Sequence, residues 1–316
     1  MSKAGTPQDN ELALIAGPTA SGKSDLAVRL ALALHNRFQR PAIVINADSA
    51  QVYANLHVLS ARPSEDEMKG VPHRLFGTWD GAQACSAADW AAAARREIAD
   101  AHQSGAVPIL VGGTGLYIRT LLDGIAPVPA IDPGVRAEVR AMELGEAFAA
   151  LRAADPDRAA KLAPADSQRI TRALEVVRST GQTLDHWQRH KVGGIGDAVS
   201  LAPLVLLPDR ATLFAQCDAR FAAMVDGGAV AEVEALLARQ LDPTLPVMRA
   251  IGVPEIAGYL RGDWPLEQAV TRGQQATRNY AKRQFTWLRH QLPAGWLRHE
   301  EQDAALEHVL EILLPR

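Results

Sequence analysis

Cysteine is scarce in this chain of 316 residues, and its two cysteines, Cys85 and Cys217, lie far apart in the sequence. No C-x-x-C pair is present, which excludes a cysteine-based zinc site and a disulfide framework. This sparse use of cysteine fits a reducing compartment, so we expect a cytoplasmic protein.

Long apolar runs are missing as well. No stretch approaches the roughly 20 apolar residues that a membrane-spanning helix needs, and the polar beginning, MSKAGTPQDNE, lacks the apolar centre of a secretory signal. We therefore predict no membrane partner. Hydrophobic residues still make up 47% of the chain, which is enough for a sizeable globular core.

Excess positive charge is the third absence. The chain has 33 Lys and Arg against 36 Asp and Glu, which gives a formal net charge of −3. Such a chain has no overall positive field that attracts nucleic acid, so any contact with RNA must come from local basic clusters.

One complete motif is present at residues 17–24, with the sequence GPTASGKS. It fits the pattern G-x-x-x-x-G-K-[ST] of a phosphate-binding loop. The apolar run 12–16 before it predicts a buried strand, and leucines spaced four apart after it predict a helix. In this setting backbone N–H groups and Lys23 face a phosphate, and Ser24 offers its hydroxyl to Mg²⁺. The motif predicts a diphosphate-containing ligand and leaves the reaction open.

Polar residues follow two further apolar runs. Asp48 comes shortly after run 42–45, and a glycine-flanked Thr114 follows run 105–111. Because ligands of open α/β sheets lie outside the carboxyl ends of the strands, we expect Asp48 beside the phosphate loop. Alternatively, Asp48 caps a turn and Thr114 caps a helix. No acidic residue closes run 105–111, where a phosphate-loop ATPase usually holds Mg²⁺ with an aspartate.

The character of the chain changes after Leu122. Residues 125–190 are rich in Ala and Arg and predict helices only, and the glycine-rich 191–196 predicts a flexible return to a fourth apolar run at 204–207. We predict an α/β fold with a phosphate-loop NTPase-like core, a parallel sheet flanked by helices. The core is discontinuous, formed by residues 1–124 and 191–316, and 125–190 is an all-helical insertion domain.

Two clusters of basic residues lie on predicted helices. In the insertion, Ile170 belongs to an apolar helix face, whereas Arg169 and Arg172 are neighbours on another face, for which simple solvation is the alternative. Residues 268–299 contain no Asp or Glu but six Lys or Arg. Three of these cations share one helical arc: Arg278, Lys282 and Arg289. Such a stretch in an acidic protein indicates a phosphate-binding face.

Three functions are compatible with these features. They are a phosphate-loop kinase of a small metabolite, an RNA-modifying transferase whose loop holds a diphosphate leaving group, and an RNA-binding protein with a nucleotide switch. The loop, Ser24 and Asp48 suit phosphoryl transfer, whereas the missing strand-end acid and the separate basic clusters count against a kinase. Hydrolysis of ATP or GTP would distinguish the kinase and the switch from the transferase.

Several motifs together resemble one family over about residues 12–290. In order they are GPTASGKS, DSAQVY, PHRLFG, SAADW, VPILVGGTGLYI, DPGVR, DSQRITRALEV and ATRNYAKRQFTWLR. The chain is similar to tRNA dimethylallyltransferases, the tRNA isopentenyltransferases. The resemblance implies transfer of a dimethylallyl group from dimethylallyl diphosphate to N6 of the adenosine at position 37, directly 3′ of the anticodon. It implies Mg²⁺ as cofactor and the anticodon stem-loop of tRNA as partner, and we expect a monomer.

The resemblance also implies roles for individual residues. Asp48 is the general base on the adenine N6 amine, and Thr114 helps to orient the reaction. The diphosphate is bound by Gly17, Thr19, Ala20, Ser21, Gly22, Lys23, Ser24 and Arg220, with Ser24 also at the metal. Contacts with tRNA are implied for Asp48, Ser49, Ala50, Gln51, Thr114, Arg136, Gln168, Arg169, Ile170, Thr171 and Arg172, to which the acid-free helix adds Arg278, Lys282 and Arg289.

Overall fold

Six strands form one sheet in which every neighbouring pair is parallel. The structure is a computed structural model that describes residues 10–314. The strands are β1 (Glu11–Ala16), β2 (Ala42–Asn46), β3 (His73–Arg74), β4 (Val107–Gly112), β5 (Ser200–Leu206) and β6 (Leu297–His299). Their order in the sheet is β3-β2-β4-β1-β5-β6.

Helices account for most of the remaining described chain. They are α1 (Lys23–Phe38), α2 (Glu65–Met68), α3 (Ala87–Gln103), α4 (Gly115–Asp123), α5 (Pro133–Ala141), α6 (Leu144–Ala154), α7 (Pro156–Ala159), α8 (Ser167–Thr180), α9 (Leu184–Gln188), α10 (Arg210–Met224), α11 (Val230–Ala238), α12 (Val253–Arg261), α13 (Leu266–Gln291) and α14 (Gln302–Leu313). A π-helical segment, Val225–Ala229, joins α10 to α11, and short 3₁₀ helices span Gly196–Ala198 and Pro246–Arg249. None of the helices within residues 10–314 is long and apolar enough to cross a membrane.

The core of the sheet explains why its strands were predictable. All residues of β1 and β4 are buried, and the leucines of α1 pack with them in one apolar cluster. A parallel sheet covered on both faces requires continuous apolar runs. The predicted α/β class, with a parallel sheet flanked by helices, is confirmed.

The described chain divides into two units. One is Leu122–Ile195, and the other contains the sheet and the rest of the described residues. This unit extends a few residues beyond each end of the predicted insertion 125–190. Ile125 and Val192 form an antiparallel bridge within it, with N···O distances of 3.0 Å. The insertion unit is helical and has its own apolar core, which includes Val139, Leu151 and Leu174.

The strand order brings three chain segments together at the carboxyl edge of the sheet. Because β4 lies between β1 and β2, the turn that leads to Thr114 lies between the phosphate loop and Asp48. A Cβ on Gly112 would lie 2.2 Å from the carbonyl carbon of Ala47, so only glycine allows this close approach. The backbone N–H of Thr114 then donates to the carbonyl of Ala47 at 3.2 Å.

Candidate active site

The phosphate loop runs from β1 into the first turn of α1. No side chain within residues 10–314 caps the N-terminus of α1, so its first N–H groups are available to an anion. Lys23 is 8% exposed, and its Nζ donates to the carbonyl of Pro18 at 3.1 Å. The hydroxyl of Ser21 is buried and has no hydrogen-bond partner among residues 10–314. Such an orphaned donor fits a site that a ligand completes.

A second cation reaches the loop from α10, because Arg220 donates from Nη2 to Oγ1 of Thr19. A buried glutamine on α13 then connects the loop to the neighbouring turn. Oε1 of Gln284 accepts from the backbone N–H of Thr19 at 2.8 Å, and its Nε2 donates to the carbonyl of Gly113 at 3.0 Å. Sequence reasoning missed Gln284, which fixes the spacing between the phosphate loop and the Thr114 turn.

Burial lowers the pKa of both cations. Burial lowers the pKa of Lys23 to about 8; the charge of Asp48 opposes this decrease and that of Arg220 adds to it. The pKa of Arg220 is lowered as well, mainly by burial. Two desolvated cations near one point favour a ligand that carries several negative charges.

Lys23 predicts a pH dependence of folding stability in the ligand-free protein. Its folded-state pKa of about 8 lies below the ordinary 10.5, so between these values the unfolded chain binds more protons. The contribution of Lys23 to the free energy of unfolding should therefore rise between pH 8 and 10.5, by up to about 3 kcal/mol. Urea unfolding of the wild type and Lys23→Met across this range measures it. A difference between the two proteins that stays constant with pH would contradict the low pKa.

Asp48 is held at the end of β2 by its own neighbours. The side chain of Asn46 accepts from the Asp48 N–H at 2.8 Å and donates to the Asp48 carbonyl at 3.0 Å. Trp90, fully buried in α3, donates from Nε1 to the carbonyl of Asn46 at 2.8 Å. One carboxylate oxygen of Asp48 accepts from the N–H of Ala50 at 2.9 Å. Asp48 therefore caps its turn and also presents a fixed carboxylate, 8% exposed, at the predicted edge.

Thr114 faces the segment that carries Asp48. Its Oγ1 accepts from the N–H of Ser49 at 3.0 Å and lies 3.3 Å from the Ser49 hydroxyl. The phenol of Tyr280 on α13 lies close to both hydroxyls. Burial and the charge of Asp48 raise its pKa, and the interactions with Thr114 and Ser49 oppose this increase. The phenol is therefore neutral at neutral pH. Sequence reasoning missed Tyr280 because its partners lie on other elements.

One cavity of about 330 Å³ joins these groups within the sheet-containing unit. Polar lining residues include Thr19, Asp48, Ser49, Arg220 and Tyr280, and apolar ones include Leu56, Leu59, Phe221, Met224 and Ile251. Tyr117, also in the lining, stacks on Trp90 with ring centroids 4.4 Å apart. The cavity can hold a ligand with a charged head and an apolar tail beside a carboxylate.

A metal centre built from protein side chains alone is absent from residues 10–314. No group of three or more His, Cys, Asp or Glu side chains is arranged there to hold an ion. Mg²⁺ commonly takes few protein ligands together with phosphate oxygens of a substrate. The hydroxyl of Ser24, in the first turn of α1, fits such a shared site.

Residues predicted to contact tRNA fall into different environments. Gln51 is 9% exposed, and its Nε2 donates to the carbonyls of Ser60 and Ala61 at 3.1 and 2.8 Å. The amide group of Gln51 therefore fixes the position of the loop that contains Ser60 and Ala61. Ala50, by contrast, lines the cavity together with Ser49.

In the insertion unit most of the predicted contacts are on the surface. Arg136 and Gln168 are exposed, and Thr171 is half-buried. Arg169 pairs with Asp166 at 3.3 Å and Arg172 with Glu175 at 3.8 Å, but the two arginine side chains remain 71% and 45% exposed. Ile170 is different, because its side chain is completely buried in the core of this unit. The tRNA contact predicted at Ile170 stays a prediction, but its buried side chain offers no exposed surface for one.

The three cations of the acid-free helix α13 also differ. Arg278 pairs with Asp218 of α10 and donates to Gln275 at 2.7 Å, so its guanidinium joins two helices. Lys282 and Arg289 are exposed. Of the three cations in the predicted arc, only Lys282 and Arg289 therefore have exposed side chains.

The chain matches known proteins over most of its length. The family model described as IPP transferase matches residues 51–291. A tRNA dimethylallyltransferase of Erythrobacter litoralis is 65% identical over 310 residues, which cover 97% of this chain and 98% of the relative. One of Novosphingobium aromaticivorans is 72% identical over 259 residues, which cover 82% and 92%.

Solved structures agree with these matches. The tRNA isopentenylpyrophosphate transferase of Bacillus halodurans has a TM-score of 0.69 at 30% identity, covering 96% of this chain and 97% of that one. A eukaryotic dimethylallyltransferase acting on tRNA has a TM-score of 0.75 at 27% identity, covering 88% and 70%. None of these relatives favours the kinase interpretation. The chain belongs to the IPP transferase family, alongside the tRNA dimethylallyltransferases that it matches.

Proposed function

We propose that this protein transfers the dimethylallyl group of dimethylallyl diphosphate to N6 of adenosine 37 of tRNA and releases diphosphate. One observation carries the proposal: a single cavity is lined by Arg220 and Thr19 of the anion-binding region, by the Asp48 carboxylate, and by apolar side chains. The donor has a matching charged head and apolar five-carbon tail. We also propose that the protein acts as a monomer and that it is cytoplasmic, because its two cysteines are free, as is usual in a reducing compartment.

In the reaction, the bond between C1 of the prenyl group and the diphosphate oxygen breaks, and a bond from N6 to C1 forms. Negative charge develops on the departing diphosphate. Lys23, Arg220 and the N–H groups at the start of α1 would stabilise this charge, because fixed donors are most effective in a partly desolvated site.

The adenine amine is a weak nucleophile and loses a proton as it reacts. The carboxylate of Asp48 accepts this proton in our proposal. Ser49, Thr114 and Tyr280 form the hydroxyl network beside it, which suits orientation of the base. The target adenine must leave its stack to enter such a cavity.

Mg²⁺ is the cofactor that we propose, held by the Ser24 hydroxyl together with oxygens of the donor diphosphate. The ion would supply positive charge to the leaving group. The oxygen donor of Ser24, in the first turn of α1, fits this ion.

For tRNA binding we propose two basic regions. Arg136, Arg169 and Arg172 supply the first in the insertion unit, and Lys282 and Arg289 on α13 supply the second. A protein with a net charge of −3 needs such local clusters to neutralise phosphates. Bases of a single-stranded loop can then enter pockets while the arginines hold the backbone.

Replacing both Arg169 and Arg172 by alanine is expected to raise the KM for tRNA without changing donor affinity. The slope of log affinity against log salt should also become shallower, by about 1 for each lost phosphate contact. Salt-titrated tRNA binding measures this slope. The double variant Arg152→Ala with Arg189→Ala removes the same charge from exposed positions of the same unit and is the control. If both double variants give the wild-type slope, the first pair only solvates a helix face.

The proposed activity is tested with labelled dimethylallyl diphosphate and an unmodified anticodon stem-loop RNA. We expect label in the RNA, and none when the target adenosine is replaced by guanosine. Label at another nucleotide would contradict the proposed acceptor, and an RNA that stays unlabelled while the donor binds would contradict the transfer itself.

A further inference from the structure

Helix α10 turns one face to the cavity, and the chemistry of this face changes along the helix. The residues of that face are Cys217, Arg220, Phe221 and Met224. With a rise of about 1.5 Å per residue, Met224 lies about 6 Å further along the helix than Arg220. Since Arg220 donates to Thr19 in the phosphate loop, one rigid helix sets the distance between the anion-binding region and the apolar wall.

Phe221 is held from behind by α13. The side chain is 2% exposed, and a Cβ on Gly273 would lie 1.9 Å from the ring Cζ. The missing side chain at Gly273 therefore lets the ring contact the backbone of α13. Close packing of this kind leaves the ring no space into which it could move away from the cavity.

The loop that carries Leu56 and Leu59, which also line the cavity, is anchored as well. The carboxylate of Glu232 in α11 accepts from the backbone N–H groups of Val58 and Leu59 at 2.8 and 2.9 Å. A carboxylate bound by several backbone N–H groups fixes a turn strongly. The apolar part of the cavity is therefore bounded by an anchored loop on this side and by Phe221 on the other element.

We infer that Phe221, supported by Gly273, sets the longest prenyl chain that the donor can carry, accepting five carbons and rejecting ten. The inference rests on the proposed function for the identity of the donor class, an allylic diphosphate. In a rigid apolar pocket a single methylene changes discrimination by about 10–200-fold. The five further carbons of a ten-carbon donor would clash with the Phe221 ring, which has no space to move away.

Calorimetric binding of dimethylallyl and geranyl diphosphates measures this limit, with transfer to the stem-loop RNA followed separately. Phe221→Ala should raise the geranyl-to-dimethylallyl ratio of association constants by at least about tenfold. Phe221→Leu, which keeps more of the packing, should raise it less. Gly273→Ala pushes the ring toward the cavity and should weaken binding of the five-carbon donor without any gain for the ten-carbon one.

Leu213→Ala is the matched control, because Leu213 is buried on the same helix but does not line the cavity. Its ratio should equal that of the wild type. An unchanged ratio in both Phe221 variants would overturn the inference. Failure of the proposed function would give a different result. In that case the wild type would bind dimethylallyl diphosphate in preference to geranyl diphosphate but would transfer nothing to RNA. Such a result would support the length limit and contradict only RNA as the acceptor.

Discussion

Replacement of Asp48 by alanine is expected to slow prenyl transfer by about 10²–10⁴-fold, the usual contribution of a general base, while the donor still binds. Asp48 is nearly buried and lines the cavity. Asn46 holds its backbone, and its carboxylate accepts from the N–H of Ala50. The anion-binding groups lie on other segments. Single-turnover transfer, with donor binding measured in parallel, tests the two halves of this prediction.

Asp48→Asn is the sharper variant, because it keeps the shape and the acceptor for the N–H of Ala50 but cannot take up a proton. Both variants should lose a similar factor. The Asp48 charge raises the pKa of Lys23, so its removal lowers that pKa further. Donor binding should therefore be compared near pH 6, where Lys23 stays protonated. Near-normal turnover in Asp48→Asn would remove the general-base role.

Removal of either Lys23 or Arg220 is expected to weaken donor binding and transfer together. A hydrogen bond to a charged group contributes roughly 1.5–3 kcal/mol, so Lys23→Ala and Arg220→Ala should each lose about 10–150-fold in donor affinity. The loss at Lys23 should shrink as the pH rises above 8, because wild-type Lys23 itself loses its proton there. Calorimetric titration with dimethylallyl diphosphate provides the measurement.

Arg37→Ala is the control for charge. Arg37 lies at the far end of α1 and pairs with Glu307 at 3.1 Å, so its removal should leave donor affinity unchanged. Wild-type affinity in Lys23→Ala or Arg220→Ala would exclude that residue from the diphosphate site.

The buried strands were predictable because each is an uninterrupted apolar run. β1, β2, β4 and β5 were all found near their predicted positions. β3 and β6 were missed, since two and three residues at the edges of the sheet carry no periodic signal. The edge of the sheet that carries the candidate site was predictable from the parallel arrangement, which places the residues after each strand side by side.

The supporting residues of the site could not be predicted. Gln284 contacts groups 265 and 171 residues away in the sequence, and Tyr280 meets Ser49 and Thr114 only because α13 crosses the same edge. No local pattern encodes such contacts. For Ile170, by contrast, the local pattern was informative. Its helix face already indicated a core position, and only the resemblance suggested a tRNA contact. The buried side chain follows the periodicity.

In the proposed reaction the phosphate loop holds a diphosphate leaving group and not a phosphoryl donor. A single-turnover assay with doubly labelled dimethylallyl diphosphate, stem-loop RNA and Mg²⁺ tests it most directly, run with and without ATP. We expect one diphosphate to be released for each prenylated adenosine, at a rate independent of ATP. Transfer that requires ATP, or release of phosphate from ATP without RNA, would contradict it.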